Sequence, residues 1–264
     1  MSNLRYYIAI FVGIALFLNY WFGEDPSIYY ERPTQEQSAI EAGKELATNG
    51  RDGKIMACAS CHGEHGEGMD GTNYPRLAGL NPFYIKKQLE DFARDLPEIG
   101  VVVEKISRDY EKTPRDYKDL TIFTPGVRHD DIMTPMAKAM SSEDMKNLAA
   151  YYSTMAFKAK PKPVDHLTME RGEEIAVRGK PEYMVPRCEA CHGPKGEGFR
   201  ELFPPLAGQS ETYLIEQINR WQNGQRDNDN LSIMKNVANM LTDADKVNIA
   251  RYYSNMSYSI NEEK

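Results

Sequence analysis

The sequence predicts an all-α protein in which two tandem helical modules follow a single N-terminal transmembrane helix. Three observations carry this. The chain repeats itself: "CASCHGEHGEG" from Cys58 returns as "CEACHGPKGEG" from Cys188, and "YPRLAGLNPFYIKKQLEDF" returns as "FPPLAGQSETYLIEQINRW". Apolar residues recur at helical spacing, with no convincing run of strands. The first 25 residues hold an uncharged stretch long enough to cross a bilayer.

That stretch comes first. From Tyr6 to Phe22, 17 residues carry no charge, near the lower limit of the ~17 to 25 that span a bilayer as a helix. No small-x-small site follows in "LNYWFGEDPS", which favours an uncleaved anchor over a secretory signal. Arg5 before it, with Glu24 and Asp25 after it, favours a cytoplasmic N-terminus. The expected organisation is an anchor over 1–25, a first module over 26–157, a linker over 158–168 and a second module over 169–264.

Each module should open with a helix, "SAIEAGKELA" or "MERGEEIAV", ahead of its cysteine motif. A second helix follows in "PFYIKKQLEDFARD" and "ETYLIEQINRWQNG". A third begins at Ser141 with Asp144, and at Thr242 with Asp245, each a hydroxyl N-cap with a carboxylate three residues on. The repeat offset falls from 129 at Leu77 and Leu206 to 101 at Met133 and Met234, so the first copy carries about 28 extra residues between Asp95 and Asp131. This insertion mixes Val101, Val102, Val103 and Ile122 with many charges, and it is expected to pack over the edge of the first site as a docking surface. "FKAKPKPVDH" between the modules reads as a stiff, solvated linker.

The four cysteines are Cys58, Cys61, Cys188 and Cys191. Cys-x-x-Cys spacing alone fits a redox dithiol or half of a zinc site. A histidine directly after each second cysteine, His62 and His192, makes both motifs Cys-x-x-Cys-His, the signature of covalent haem c attachment with histidine as an iron ligand. Two haems are therefore expected, with no free thiol and no disulfide. Methionine is the usual sixth ligand in electron-transfer sites. Of 13 methionines, Met133 and Met234 coincide in the repeat just ahead of the third helix. Met136 faces Val237 and Met140 faces Leu241, so these read as packing, with Met136 in reserve as a ligand and His129 behind it. His65 and His166 read as exposed.

"FPPLAGQ", "CHGxxGEG" and "LTDADKVNIARYYS" together resemble the c4-type diheme cytochromes c over roughly residues 38 to 258. The resemblance implies two small all-α cytochrome c domains related by a pseudo-twofold, with facing haem edges. It also implies that the carbonyls of Pro75 and Pro204 accept the proximal histidine N–H, and that Gly43 and Gly172 let the first and last helices of each domain cross. The haem domains would lie on the periplasmic side of the cytoplasmic membrane. Leu80 stands where the second module has Gln209, a departure from the pattern.

Two six-coordinate haems leave no open iron position, which disfavours a diheme peroxidase and points to single-electron transfer. The expected partners are respiratory membrane complexes, a quinol:cytochrome c oxidoreductase and a cbb3-type or related oxidase. The alternative is the haem subunit of a periplasmic dehydrogenase acting on a small donor. The net charge of −7, from 39 acidic and 32 basic residues, excludes nucleic acid as a partner class and suits one with a basic docking patch.

Overall fold

The computed structural model describes residues 26–95 and 126–261. The N-terminal segment expected to span a membrane and most of the insertion (96–125) lie outside them. Among the described residues, no helix is long and apolar enough to cross a membrane.

The first module runs α1 (Pro26–Asn49), α2 (Ala59–His62), α3 (Pro82–Ala93), β1 (Val127–Arg128), α4 (Met133–Lys138) and α5 (Ser142–Thr154). After β2 (Phe157–Lys158), the second repeats the order with α6 (His166–Arg178), α7 (Glu189–His192), α8 (Glu211–Gln222), β3 (Arg226–Asp227), α9 (Ile233–Asn239) and α10 (Asp243–Ser254), and β4 (Ser259–Ile260) closes it. Both expected N-caps form full capping boxes, in which the Ser141 or Thr242 side chain accepts the N3 amide while the N3 aspartate accepts the cap amide. Each of these aspartates also ties the loop ahead of the cysteine motif to the last helix. Arg51 donates to both Asp144 oxygens at 2.8 and 2.5 Å, and Lys180 to both Asp245 oxygens at 3.1 and 2.9 Å.

The first and last helices of each module cross with no room for a side chain. A Cβ on Gly43 would fall 2.1 Å from the Asn147 carbonyl oxygen, and one on Gly172 would fall 2.3 Å from that of Asn248. Gly172→Ala should therefore cost about 3 kcal/mol, the upper part of the usual overpacking range, and calorimetry should show it as a lowered unfolding temperature. Around these crossings lie two apolar cores, one holding Leu46, Ile85, Leu148 and Tyr152, the other Ile175, Ile218, Ile249 and Tyr253. Each buried aliphatic contributes about 1.5–3 kcal/mol.

Between the modules, residues 160–163 and 165–167 are exposed. Phe157 and Lys158 pair antiparallel with Ile260 and Ser259, and α6 begins at His166, capped by Asp165. Short strands also exist where none were expected. β1 pairs with β3 across the modules, placing Arg128 opposite Arg226. Two-residue strands are too short to leave a period-2 pattern in sequence.

Candidate haem sites

Within each cysteine motif a single helical turn puts the first cysteine and the histidine on one face, four residues apart. The His62 amide donates to the Cys58 carbonyl at 2.9 Å, and the His192 amide to that of Cys188 at 2.9 Å. His62 Nδ1 lies 2.9 Å from the Pro75 carbonyl and His192 Nδ1 2.8 Å from that of Pro204. A carbonyl only accepts, so Nδ1 carries the proton in both rings and Nε2 keeps its lone pair for a metal. Burial lowers both histidine pKa values, which favours the neutral, ligating form.

One cavity of about 360 Å³ reaches both sites. Cys58, His62 and Met133 line it from the first module, and Cys188, Cys191, His192 and Met234 from the second. Cys61 is half-buried, beside the Ser60 hydroxyl, and is not among the lining residues. Met136 and Met140 also reach the cavity, opposite in the repeat to Val237 and Leu241, which do the same. His65, His129 and His166 are exposed.

Both methionine-bearing helices are started by an aspartate. Asp130 Oδ1 accepts the Ile132 and Met133 amides at 3.0 Å each, and Asp229 Oδ2 accepts those of Met234 and Lys235. Burial pushes the Asp130 carboxyl up, but the Met133 and Ile132 amides, with Arg220 and Arg128, hold it below the usual carboxylate range. In the second module the turn into this helix forces Leu231 and Ser232 to φ of 60° and 53°. Such non-glycine strain costs on the order of 1–3 kcal/mol per residue and persists only where the surroundings impose it.

The cysteines do not form a disulfide, and burial raises the Cys58 thiol and pushes that of Cys188 up to about 11. A reactive dithiol needs the opposite shift. Among the described residues there is no cluster of three metal-binding His, Cys, Asp or Glu side chains. Haem fits better, and by four buried groups that sequence reasoning missed. The Tyr152 and Tyr253 hydroxyls are buried with no oxygen or nitrogen partner among the described residues, each facing only the thiol of the first cysteine of its motif. Arg128 donates to Gln88, Tyr213 and Gln217, and Arg226 to Asn228, Gln217, Tyr84 and Gln88. Their guanidiniums also sit 4.4 Å over Phe92 and 4.5 Å over Trp221. Both guanidiniums are buried and among the described residues neither has a direct ion pair; the Asp130 carboxylate acts on Arg128 only from a distance, so two adjacent buried cations are incompletely neutralised. The carboxylates of haem are suitable counter-charges.

The repeated Tyr-Tyr before "S" was a signal for the tyrosines. The arginines were hidden because Arg128 stands five residues before Met133 and Arg226 eight before Met234, so no single repeat offset aligns them.

The sequence pattern of the cytochrome c family matches residues 40–156 and 176–257. A thiosulfate dehydrogenase electron acceptor of Stutzerimonas stutzeri (strain A1501) is 34% identical over 84% of this chain and 89% of its own length. A cytochrome c4 of Thiocapsa roseopersicina is 29% identical over 76% and 87% respectively. Among solved structures, reduced cytochrome c4 from Pseudomonas stutzeri aligns with a TM-score of 0.61 and 29% identity, covering 82% of this chain and 98% of that one. The thiosulfate dehydrogenase of Marichromatium purpuratum aligns at 0.65 with 30% identity over 82% of this chain, which spans only 40% of that longer protein. Matched family patterns in both halves, each enclosing a Cys-x-x-Cys-His turn, make this chain a member of the cytochrome c family that carries two haem c groups.

Proposed function

We propose that the protein is a diheme electron carrier that takes single electrons from a periplasmic dehydrogenase of an inorganic sulfur donor and passes them to the respiratory chain. What supports this most is that one cavity is lined by a histidine and a methionine from each module, so the two groups lie close together. Bound there, haem supplies reversible one-electron chemistry at iron. Cys58 and Cys61, and Cys188 and Cys191, hold it covalently. His62 with Met133, and His192 with Met234, would hold its iron and leave no position open to a small molecule. Pro75 and Pro204 fix the histidine rings, and Arg128 and Arg226, both buried, offset carboxylate charge. The N-terminal segment tethers the haem modules to the periplasmic face of the cytoplasmic membrane.

The choice of donor rests on two relatives, both named thiosulfate dehydrogenase electron acceptor and both 34% identical. The second reading, transfer from a quinol:cytochrome c oxidoreductase to a cbb3-type or related oxidase, rests on the cytochrome c4 relatives. Mixing the oxidised full-length protein with a thiosulfate dehydrogenase and thiosulfate in a stopped-flow instrument should reduce both haems within seconds. Reduction only by the quinol-oxidising complex would instead establish the second reading.

A further inference from the structure

The two modules differ where the peptide that holds the proximal histidine meets its neighbour. The Pro75 carbonyl, which accepts from His62 Nδ1, belongs to the same peptide group as the Arg76 N–H. That N–H donates to Gln209 Oε1 at 2.9 Å, and Gln209 Nε2 donates back to the Arg76 carbonyl at 3.1 Å. Gln209 is buried and comes from the second module. In the reverse direction the bonds do not exist. The peptide following Pro204 is that of Pro205, which has no N–H, and the position matching Gln209 is Leu80, a buried aliphatic.

We infer that Gln209 is a positioning residue for the iron ligand His62 of the other module, and that this coupling runs one way. A bond accepted from the N–H side of a peptide polarises it and makes its carbonyl a better acceptor. A better acceptor strengthens the His62 N–H bond, fixes the ring and raises its basicity as a ligand. Greater basicity favours ferric iron, so Gln209 lowers the potential of the first haem and leaves the second alone. Gln209 Oε1 also accepts the Ser210 amide of its own module at 3.0 Å, while the Arg76 guanidinium is held independently by the Ala78 and Ala207 carbonyls and lies 4.5 Å over Phe157.

The inference rests on the haem assignment, and the experiment separates the two. In the full-length protein the midpoint potentials of both haems are measured, each followed through its own haem-methyl resonances, for wild type, Gln209→Met and Gln209→Leu. Gln209→Met removes the acceptor and should raise the first potential by up to about tenfold in the one-electron equilibrium, about 59 mV, with no change in the second. Gln209→Leu, the side chain that Leu80 supplies at the matching position, should do the same. If a folded variant leaves the first potential unmoved, lowers it, or shifts both haems equally, the inference is overturned. A wild-type protein without two haems would instead sink the haem assignment. Should Gln209→Met fail to fold, Gln209→Leu decides alone: no rise in the first potential relative to the second refutes the coupling.

Discussion

Alanine at both Cys188 and Cys191 should give a chain that carries one covalent haem, seen as a single haem mass addition and half the haem stain per polypeptide. The effect should be large because the walls of the second site are also the module's core: Ile218, Trp221, Leu241, Ile249 and Tyr253 all line the cavity and are all buried. An apolar space of that size left unfilled forfeits dispersion contacts on every side. The one-haem protein should therefore also unfold several degrees below wild type, since about 1 kcal/mol corresponds to roughly 2–4 °C for a chain near this size. Two haems persisting on the variant would refute the attachment sites.

Histidine in place of Met234 should lower one midpoint potential by on the order of 0.1–0.3 V, given that axial ligands set haem potentials over about 0.8 V. The weak thioether absorption at the red end of the visible spectrum should fall by about half. The matching experiment in the first module is sharper, because Met133 and Met136 both reach the cavity. Met133→His should reproduce the Met234→His result, while Met136→Leu should leave the band and both potentials intact. An unchanged band in the Met133 variant would move the ligand to Met136.

The repeat makes much of this legible. It picks out His62, His192, Met133 and Met234, which the structure brings to one cavity, and it locates the hydroxyl caps at Ser141 and Thr242. Where the copies differ in length, it failed. Arg128 and Arg226 face each other across β1 and β3, yet unequal spacing to the following methionine separates them in any alignment. Contacts between modules were invisible for a different reason. Gln209 bonds to the backbone of Arg76, and a backbone partner leaves no trace in residue identity. Lys and Pro made the exposure of the linker legible, but they do not reveal the two-residue pairing of Phe157 and Lys158 with the distant Ile260 and Ser259.

The facing arginines have a consequence for how such a chain can change over time. Each guanidinium is satisfied in part by side chains of the other half: Arg226 reaches Tyr84 and Gln88 besides its own Gln217 and Asn228, and Arg128 reaches Tyr213 and Gln217 besides its own Gln88. Separating the halves would strand two buried cations among donors and acceptors that no longer match. The duplication that made the protein is thus locked in. Segments away from this contact are free to change, as the difference in length between the copies shows, but the shared centre holds both copies to a single history.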